Sequence, residues 1–321
     1  MTSQDRFVKG RLLVLILVAA VVLTLPLYAN TYFTKIAINL AILVALASSW
    51  NLIGGVAGQL SFGHAAFFGT GAYVLAICAD HQIPDVVSFV LGGLAAVVLS
   101  LVAYPTFRTK GTYFAIITIA FLESTRLIAV NWESVTHGNS GYIVSDPYMP
   151  NALLPYYVII GIAVAVLIVS WCVINSRFGL RLKALSQDEH AAEDIGVSVR
   201  KYKMVTLALS AFMCGVVGAY YSKYIGFIDP ESVFSIRWSF DMIMMSIIGG
   251  LGTFWGPVLG ALVLTFISEL FRITMPSLSL MVYGALMMVM IVFWQKGLIS
   301  IFSRFAQPCA RQGLDQQSNK Q

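Results

Sequence analysis

Long apolar runs alternate with short polar breaks along the whole chain. The runs lie at roughly 11–29, 33–53, 62–80, 85–105, 112–130, 155–174, 204–223, 238–249, 257–271 and 279–295. A helix needs about 20 apolar residues to cross a hydrocarbon core of ~30 Å. The runs are continuously apolar and do not alternate with period two, so they predict helices and not barrel strands. A helix also satisfies every backbone polar group within the segment, as lipid requires. The expectation is an all-α, polytopic integral membrane protein of about 8–10 transmembrane helices. The range reflects two glycine-broken segments, Gly54–Ser61 and Gly249–Gly256, either of which can shorten a crossing. The run at Leu12–Ala29 has no clear small-x-small cleavage site after it and reads as a retained first helix, not a signal peptide.

The polar exceptions are few and placed. Ser176 to Lys203 carries ten of the 35 charged residues, with apolar runs on both sides. Residues 131–154 form the longest loop on the other side and are rich in turn residues, with enough apolar and aromatic side chains to fold over that face. From Ser303 the chain is polar and Gln-rich, which predicts a disordered tail over 303–321. No linker divides the rest, so residues 1–302 read as a single membrane domain.

Composition agrees: 58% of residues are hydrophobic and only 11% charged. The net charge of +5 reports topology once it is mapped. With the N-terminus in the cytoplasm, fifteen of the twenty Lys and Arg fall inside and five outside or near the outer ends, the positive-inside bias. That places both termini and the 176–203 module in the cytoplasm and removes the case for a nucleic-acid partner. Cys78, Cys172, Cys214 and Cys309 are scattered, with neither zinc spacing nor a disulfide framework, and read as small core residues.

Within the charged module, Ser186-Gln187-Asp188-Glu189 has capping-box spacing: Ser186 caps a helix start and Glu189 returns the bond. Asp188 and Glu189 stand where the helix dipole favours negative charge. Gly196 falls where a left-handed C-terminal cap belongs. The module therefore predicts one short helix over 187–195 outside the bilayer. A plain interfacial helix is one reading and a docking element is the other. Elsewhere, Ile53-Gly54-Gly55-Val56-Ala57-Gly58 is echoed by Ile248-Gly249-Gly250-Leu251-Gly252. Paired Gly-interrupted spans point to a transporter's substrate path, and close helix packing explains the same glycines.

Intramembrane charge is costly enough to be a functional hypothesis by default. Glu123 with Arg126 and Glu269 with Arg272 are spaced i to i+3, which lets each pair neutralise itself near an outer end. Asp241 has no such neighbour and is the better candidate for lining a path or joining helices. Gln59, Ser61 and His64 form a polar cluster beside the first glycine break, where helix-end dipoles suit a zwitterion and a histidine can titrate near neutral pH. The competing reading of His64 is a hydrogen-bonded packing residue. Met242, Met244, Met245, Met287, Met288 and Met290 read as adaptable packing.

Residues 189–196 (EHAAEDIG) resemble the EAA loop of ABC-importer permeases, the cytoplasmic helix that docks into the ATPase. Ala191-Ala192-x-x-x-Gly196 fits, whereas His190 stands where the pattern prefers Glu and the Ile-x-Leu-Pro ending is absent. Those departures point to the branch that includes branched-chain amino-acid permeases. Its N-terminal signature resembles Asn51-Leu52-x-x-Gly55-x-x-Gly58-Gln59-Leu60-Ser61-Phe62-Gly63-His64-Ala65-Ala66-Phe67. Gly111-x-Tyr113-Phe114-Ala115 with Glu123, and Gly249-Gly250-Leu251-Gly252-Thr253 with Gly256-Pro257-x-x-Gly260-Ala261, match in order and spacing. The resemblance is to LivM-type permease subunits and covers about 51 to 261. It implies an ATPase-coupling loop comprising Arg181, Ser186, Asp188, Glu189, Ala191, Ala192 and Gly196. The substrate path would involve Gln59, Ser61, His64, Glu123, Asp241, Gly249 and Gly250. The implied partners are two ATP-binding subunits, a LivH-type second permease and a periplasmic binding protein, in a bacterial inner membrane.

No G-x-x-x-x-G-K-[ST] phosphate loop occurs, so the chain is expected to bind no ATP or other cofactor itself, ATP being used by the partners. No metal set or nucleophile constellation suggests an enzyme. The expected function is inward transport of branched-chain or related hydrophobic amino acids by alternating access. A same-fold importer for urea, short amides or aromatic amino acids, and an ion-coupled secondary transporter, remain as alternatives.

Overall fold

The structure is a computed structural model that describes residues 30–109, 111–148, 153–194 and 198–274, with Thr24, Pro26 and Gly284 besides. The runs expected at 11–29 and 279–295, the tail 303–321, Cys309 and Gly196 lie outside the described residues. The main helices are α1 (Thr31–Asn51), α2 (His64–Asp80), α3 (Asp85–Val102), α4 (Thr112–Asn131), α5 (Leu153–Asn175), α6 (Arg177–Gln187), α7 (Glu189–Asp194), α8 (Val199–Ile225), α9 (Ile236–Gly249) and α10 (Gly256–Thr274). Every apolar run within the described residues is a helix, within a few residues of its expected ends. Among the described residues, five helices are long and apolar enough to cross a membrane: Thr31–Val56, Asp85–Val102, Thr112–Asn131, Leu153–Asn175 and Val199–Ile225. The chain is a multi-pass, all-α membrane protein. Three further helices, α2, α9 and α10, each adjoin a glycine-rich break, as does the end of α1.

Burial sorts the helices into layers. α1 and α8 are buried over most of their length and form the centre. α8 packs on α2 and α3, while α1 packs on α5, α9 and α10, and α1 and α8 touch each other. α3, α4 and α5 bury one stripe and expose apolar side chains such as Val98, Ile116 and Ile168 on the other. A helix apolar all round belongs where the outward face meets lipid or another helix. Cys172 is on this exposed face, whereas Cys78 and Cys214 are buried as expected of core residues. The methionine cluster Met242, Met244 and Met245 is buried between helices.

The chain's two ends are built differently. At one, the loop after α4 folds back and pairs Tyr142–Ile143 (β1) antiparallel with Phe227–Ile228 (β2). Ser145 Oγ donates to Asp80 at 2.6 Å, and Tyr142 OH also donates to that carboxylate. Burial first, then Asp80, pushes the Tyr142 phenol up to about 12, so it remains the donor at any ordinary pH. Buried Lys223 adds ion pairs to Asp85 at 2.7 Å and Asp146 at 3.5 Å. The loop is thereby fastened over this face, the loop end. The opposite end carries α6, α7 and both glycine-rich breaks, and is the module end.

Candidate functional site

Two features stand out, one at each end, and the same helices run between them. At the module end, α6 is amphipathic: Leu182 and Leu185 are buried while Arg181 and Lys183 face out. Ser176 caps it, accepting from the Gly179 N–H at 3.2 Å. The capping box expected at Ser186 does not form. The buried leucines draw α6 on to Gln187, so Ser186 lies in its last turn and donates to the Lys183 carbonyl at 2.8 Å. Asp188 is extended (φ −152°, ψ 114°), and its carboxylate accepts from the Ala191 N–H at 3.2 Å. The cap of α7 is therefore Asp188, two residues later than the spacing suggested, and the expected single helix over 187–195 is a helix–break–helix.

Glu189 is consequently released from capping. Its Oε1 accepts from Lys203 Nζ at 2.5 Å and from Gln59 Nε2 at 3.2 Å. Lys203 is only 2% exposed and Glu189 18%. One carboxylate thus ties α7 to the start of α8 and to the loop after α1. Gly58 reinforces the contact: its φ is +72°, and a Cβ there would lie 2.9 Å from the Ser186 Cβ. Arg181 donates to Tyr202 OH and lies over its ring at 5.6 Å. Ala192 is buried against the chain's own core, whereas Ala191, Glu193 and Asp194 face outward.

The two glycine-rich echoes meet in space. After α1 the helix continues as a π-turn, Leu52–Val56. Asn51, buried at the junction, donates from Nδ2 to the Thr253 carbonyl and accepts on Oδ1 from the Gly252 N–H, both at 2.9 Å. On the far side, a Cβ on Gly249 would fall 1.7 Å from the Gly256 carbonyl oxygen, so only glycine permits the α9–α10 approach. Gly250 closes that turn by accepting from Thr253 Oγ1 at 2.7 Å. The module ends of α1, α9 and α10 therefore form one clamp, joined to α7 through Gln59. Among these residues, Gln59, Glu189, Gly249 and Gly250 were legible as candidates. Asn51 was legible only as part of a motif, and Lys203 only as one charge among ten.

Ser61 and His64 lie deeper, in a knot that joins helices. His64 is buried with both ring nitrogens engaged: Nε2 with Ser210 Oγ at 2.8 Å and Nδ1 with Ser61 Oγ at 3.2 Å. Ser210 gives its own proton to the Ser49 carbonyl at 2.6 Å, which assigns the His64 proton to Nε2. The exposed helix-end donors expected here are already occupied. Phe62 N–H donates to Thr118 Oγ1 and Ala65 N–H to Ser239 Oγ, each at 3.0 Å.

At the loop end, α1, α9 and α10 diverge around a cavity of about 970 Å³. Asp241 lines it and is 8% exposed. It does have a partner, correcting the expectation from i+3 spacing: Arg237, four residues earlier, stands 3.9 Å away. Glu269 and Arg272 form their expected pair at 2.7 Å on the rim, joined by Tyr32. Glu123 pairs with Arg126 as expected, on the exposed face of α4 and not among the residues lining the cavity. Among the described residues no cluster of His, Cys, Asp and Glu is arranged to hold a metal.

The family described as branched-chain amino acid transport system / permease component matches residues 32–291. The chain is 26% identical to the high-affinity branched-chain amino acid transport system permease protein LivM of Escherichia coli (strain K12), covering 89% of this chain and 74% of that one. It is 25% identical to the LivM protein of Salmonella typhimurium, covering 85% and 71%. The LivH permease protein of the same organism is 22% identical over 68% of this chain and 78% of its own. No solved structure matches the chain.

Proposed function

The chain belongs to the branched-chain amino acid transport permease family, and on that footing we propose that it is the LivM-type subunit of an ATP-driven importer for branched-chain amino acids. It pairs in the membrane with a LivH-type permease; similarity to both LivM and LivH proteins supports a paired arrangement. Two ATP-binding subunits dock on the module end, which faces the cytoplasm together with both chain termini. A periplasmic binding protein delivers solute at the loop end. The chain itself binds no ATP and hydrolyses none.

The observation that carries this reading is the Glu189 junction. A docking helix moves transmembrane helices only if it holds them by contacts that differ between two states. Here α7 is held to α8 by a mostly buried ion pair and to the α1–α9–α10 clamp by Gln59. Displacement of α6–α7 by closing ATPases would pull on the module ends of the three helices that wall the loop-end cavity. The exposed Ala191, Glu193 and Asp194 form the surface available to an ATPase. Gentle purification from the native membrane tests the assembly: an ATP-binding subunit and a second permease should co-purify in fixed ratio. Isolation of this chain alone, under conditions that keep other importers intact, would count against it.

A further inference from the structure

We infer that the outward face of α4 is the seam at which the second permease packs, with Glu123 accepting a hydrogen bond from a cationic side chain of that partner. The inference rests on the paired-permease reading above and deepens it by naming the surface.

The least covered of the five membrane-length helices are α3, α4 and α5. Two of them suit lipid. α5 contains no charged residue, and α3 has only Asp85, at its first position and paired with Lys223. Their exposed side chains, such as Val90, Leu94 and Val98 on α3 or Val164 and Ile168 on α5, are aliphatic. α4 differs. Tyr113, Ile116, Ala120, Glu123 and Leu127 recur at helical spacing on its exposed face. The Glu123 side chain is 50% exposed there and that of Arg126 29%.

Depth decides what this means. At about 1.5 Å per residue, Glu123 lies about 12 Å in from the helix end at Asn131 and about 16 Å from Thr112. A hydrocarbon core is about 30 Å thick, so the carboxylate sits toward its middle, too deep for a glutamate to reach either surface. Arg126 does not draw it outward. Its Nε donates to both Glu123 oxygens at 3.0 Å, which holds the guanidinium beside the carboxylate. Charges at such depth are costly against lipid and face protein or water instead.

The local charges say what covers this face. Glu231, on the short helix Pro230–Val233 that packs against α4, is close enough to attract Arg126 as well. Two carboxylates therefore share one guanidinium, and the strip is complemented by a further cation. The chain's own apolar runs at 12–29 and 279–295 contain no Asp, Glu, Lys, Arg or His between their ends. A helix that meets Glu123 with a cation at this depth thus belongs to another subunit. Within the import reading, the subunit that shares the bilayer is the second permease.

The test places p-benzoylphenylalanine at Ala120 or Leu127 on α4, and at Leu94 on α3 or Ile168 on α5, in the full assembly in its native membrane. Irradiation should join the α4 positions to the second permease, identified by mass spectrometry, and the α3 and α5 positions to lipid. In the purified pair, Glu123→Leu combined with Arg126→Leu should weaken association about 10- to 100-fold, as for loss of a charge-assisted hydrogen bond. The thermal midpoint of the separated chain should not fall, because both side chains lie on an exposed face. Glu123→Gln alone should weaken association severalfold. Association unchanged in the double variant, or α4 cross-links to a second copy of this chain, overturns the seam. Cross-links from α4 to lipid alone, with the second permease still co-purifying, overturn the seam and leave the paired reading standing. Absence of a second permease from the unmodified assembly overturns both.

Discussion

Replacing Glu189 by glutamine and Lys203 by methionine, singly and together, probes the junction between α7 and the membrane helices. Lys203 is 2% exposed and its carboxylate partner 18%, so neither charge is well solvated when the other is removed. Breaking a buried pair from one side costs about 3–5 kcal/mol, and the partial exposure of Glu189 lowers that to about 2–4 kcal/mol here. Glutamine at 189 still offers Gln59 an acceptor, so the Gln59 contact at 3.2 Å survives that change. The double variant removes both charges and should cost far less than the sum, with a coupling energy of about 2 kcal/mol. A shift of that size is roughly 30-fold in the ratio of engaged to disengaged junctions. The assay is solute moved per ATP hydrolysed by the reconstituted importer, with the thermal midpoint of the complex as a check on folding. Each single variant should hydrolyse ATP while moving severalfold less solute, and the double should recover part of the loss. Additive single effects to within about 0.5 kcal/mol, with solute per ATP unchanged, would refute the reasoning.

Asn51→Ala removes two 2.9 Å hydrogen bonds and leaves a half-buried N–H and carbonyl in the Gly252–Thr253 turn without that partner; the cost of about 1 kcal/mol per group, the low end for partly solvated groups, should appear as a lower thermal midpoint and impaired uptake, and native behaviour would show the clamp to be unimportant. Ala191→Trp, on the exposed face of α7, should leave the isolated chain stable but weaken ATPase co-purification, whereas Ala192→Trp, whose site is buried, should lower the chain's own thermal stability. Equal effects at both positions would contradict the assigned face. Gly58→Ala combines a left-handed backbone with a Cβ 2.9 Å from Ser186, so it should raise uncoupled ATP hydrolysis; native solute-per-ATP ratios would argue against force passing through that contact.

Much of the helical architecture was legible because continuous apolar runs have few alternatives in lipid. Helix ends such as Asp80, Asn131 and Gly249 fell close to their expected places because a charged or polar side chain or a glycine marks them. The module was legible as charged and helical, but its cap was not. Ser186 and Asp188 are both good caps, and the choice was made by Leu182 and Leu185 burying against the core, a tertiary effect that spacing does not report. The cavity was half visible: Asp241 stood out as an intramembrane acid, while Lys35, Asn39 and Thr265 looked ordinary until three helices from distant parts of the chain faced each other. Likewise the glycine echoes at 53–58 and 248–252 were seen as a pair, yet their mutual contact through Asn51 required the fold.

The central claim is that this permease moves solute with force received from ATPases at the module end. Its most direct test is uptake of labelled L-leucine into proteoliposomes containing the chain with or without its co-purified partners. The account predicts accumulation only with the ATP-binding subunits, the second permease, the binding protein and ATP all present, and none driven by a proton or sodium gradient. Leucine accumulation by the purified chain alone, down an imposed ion gradient and without any ATPase, would contradict it.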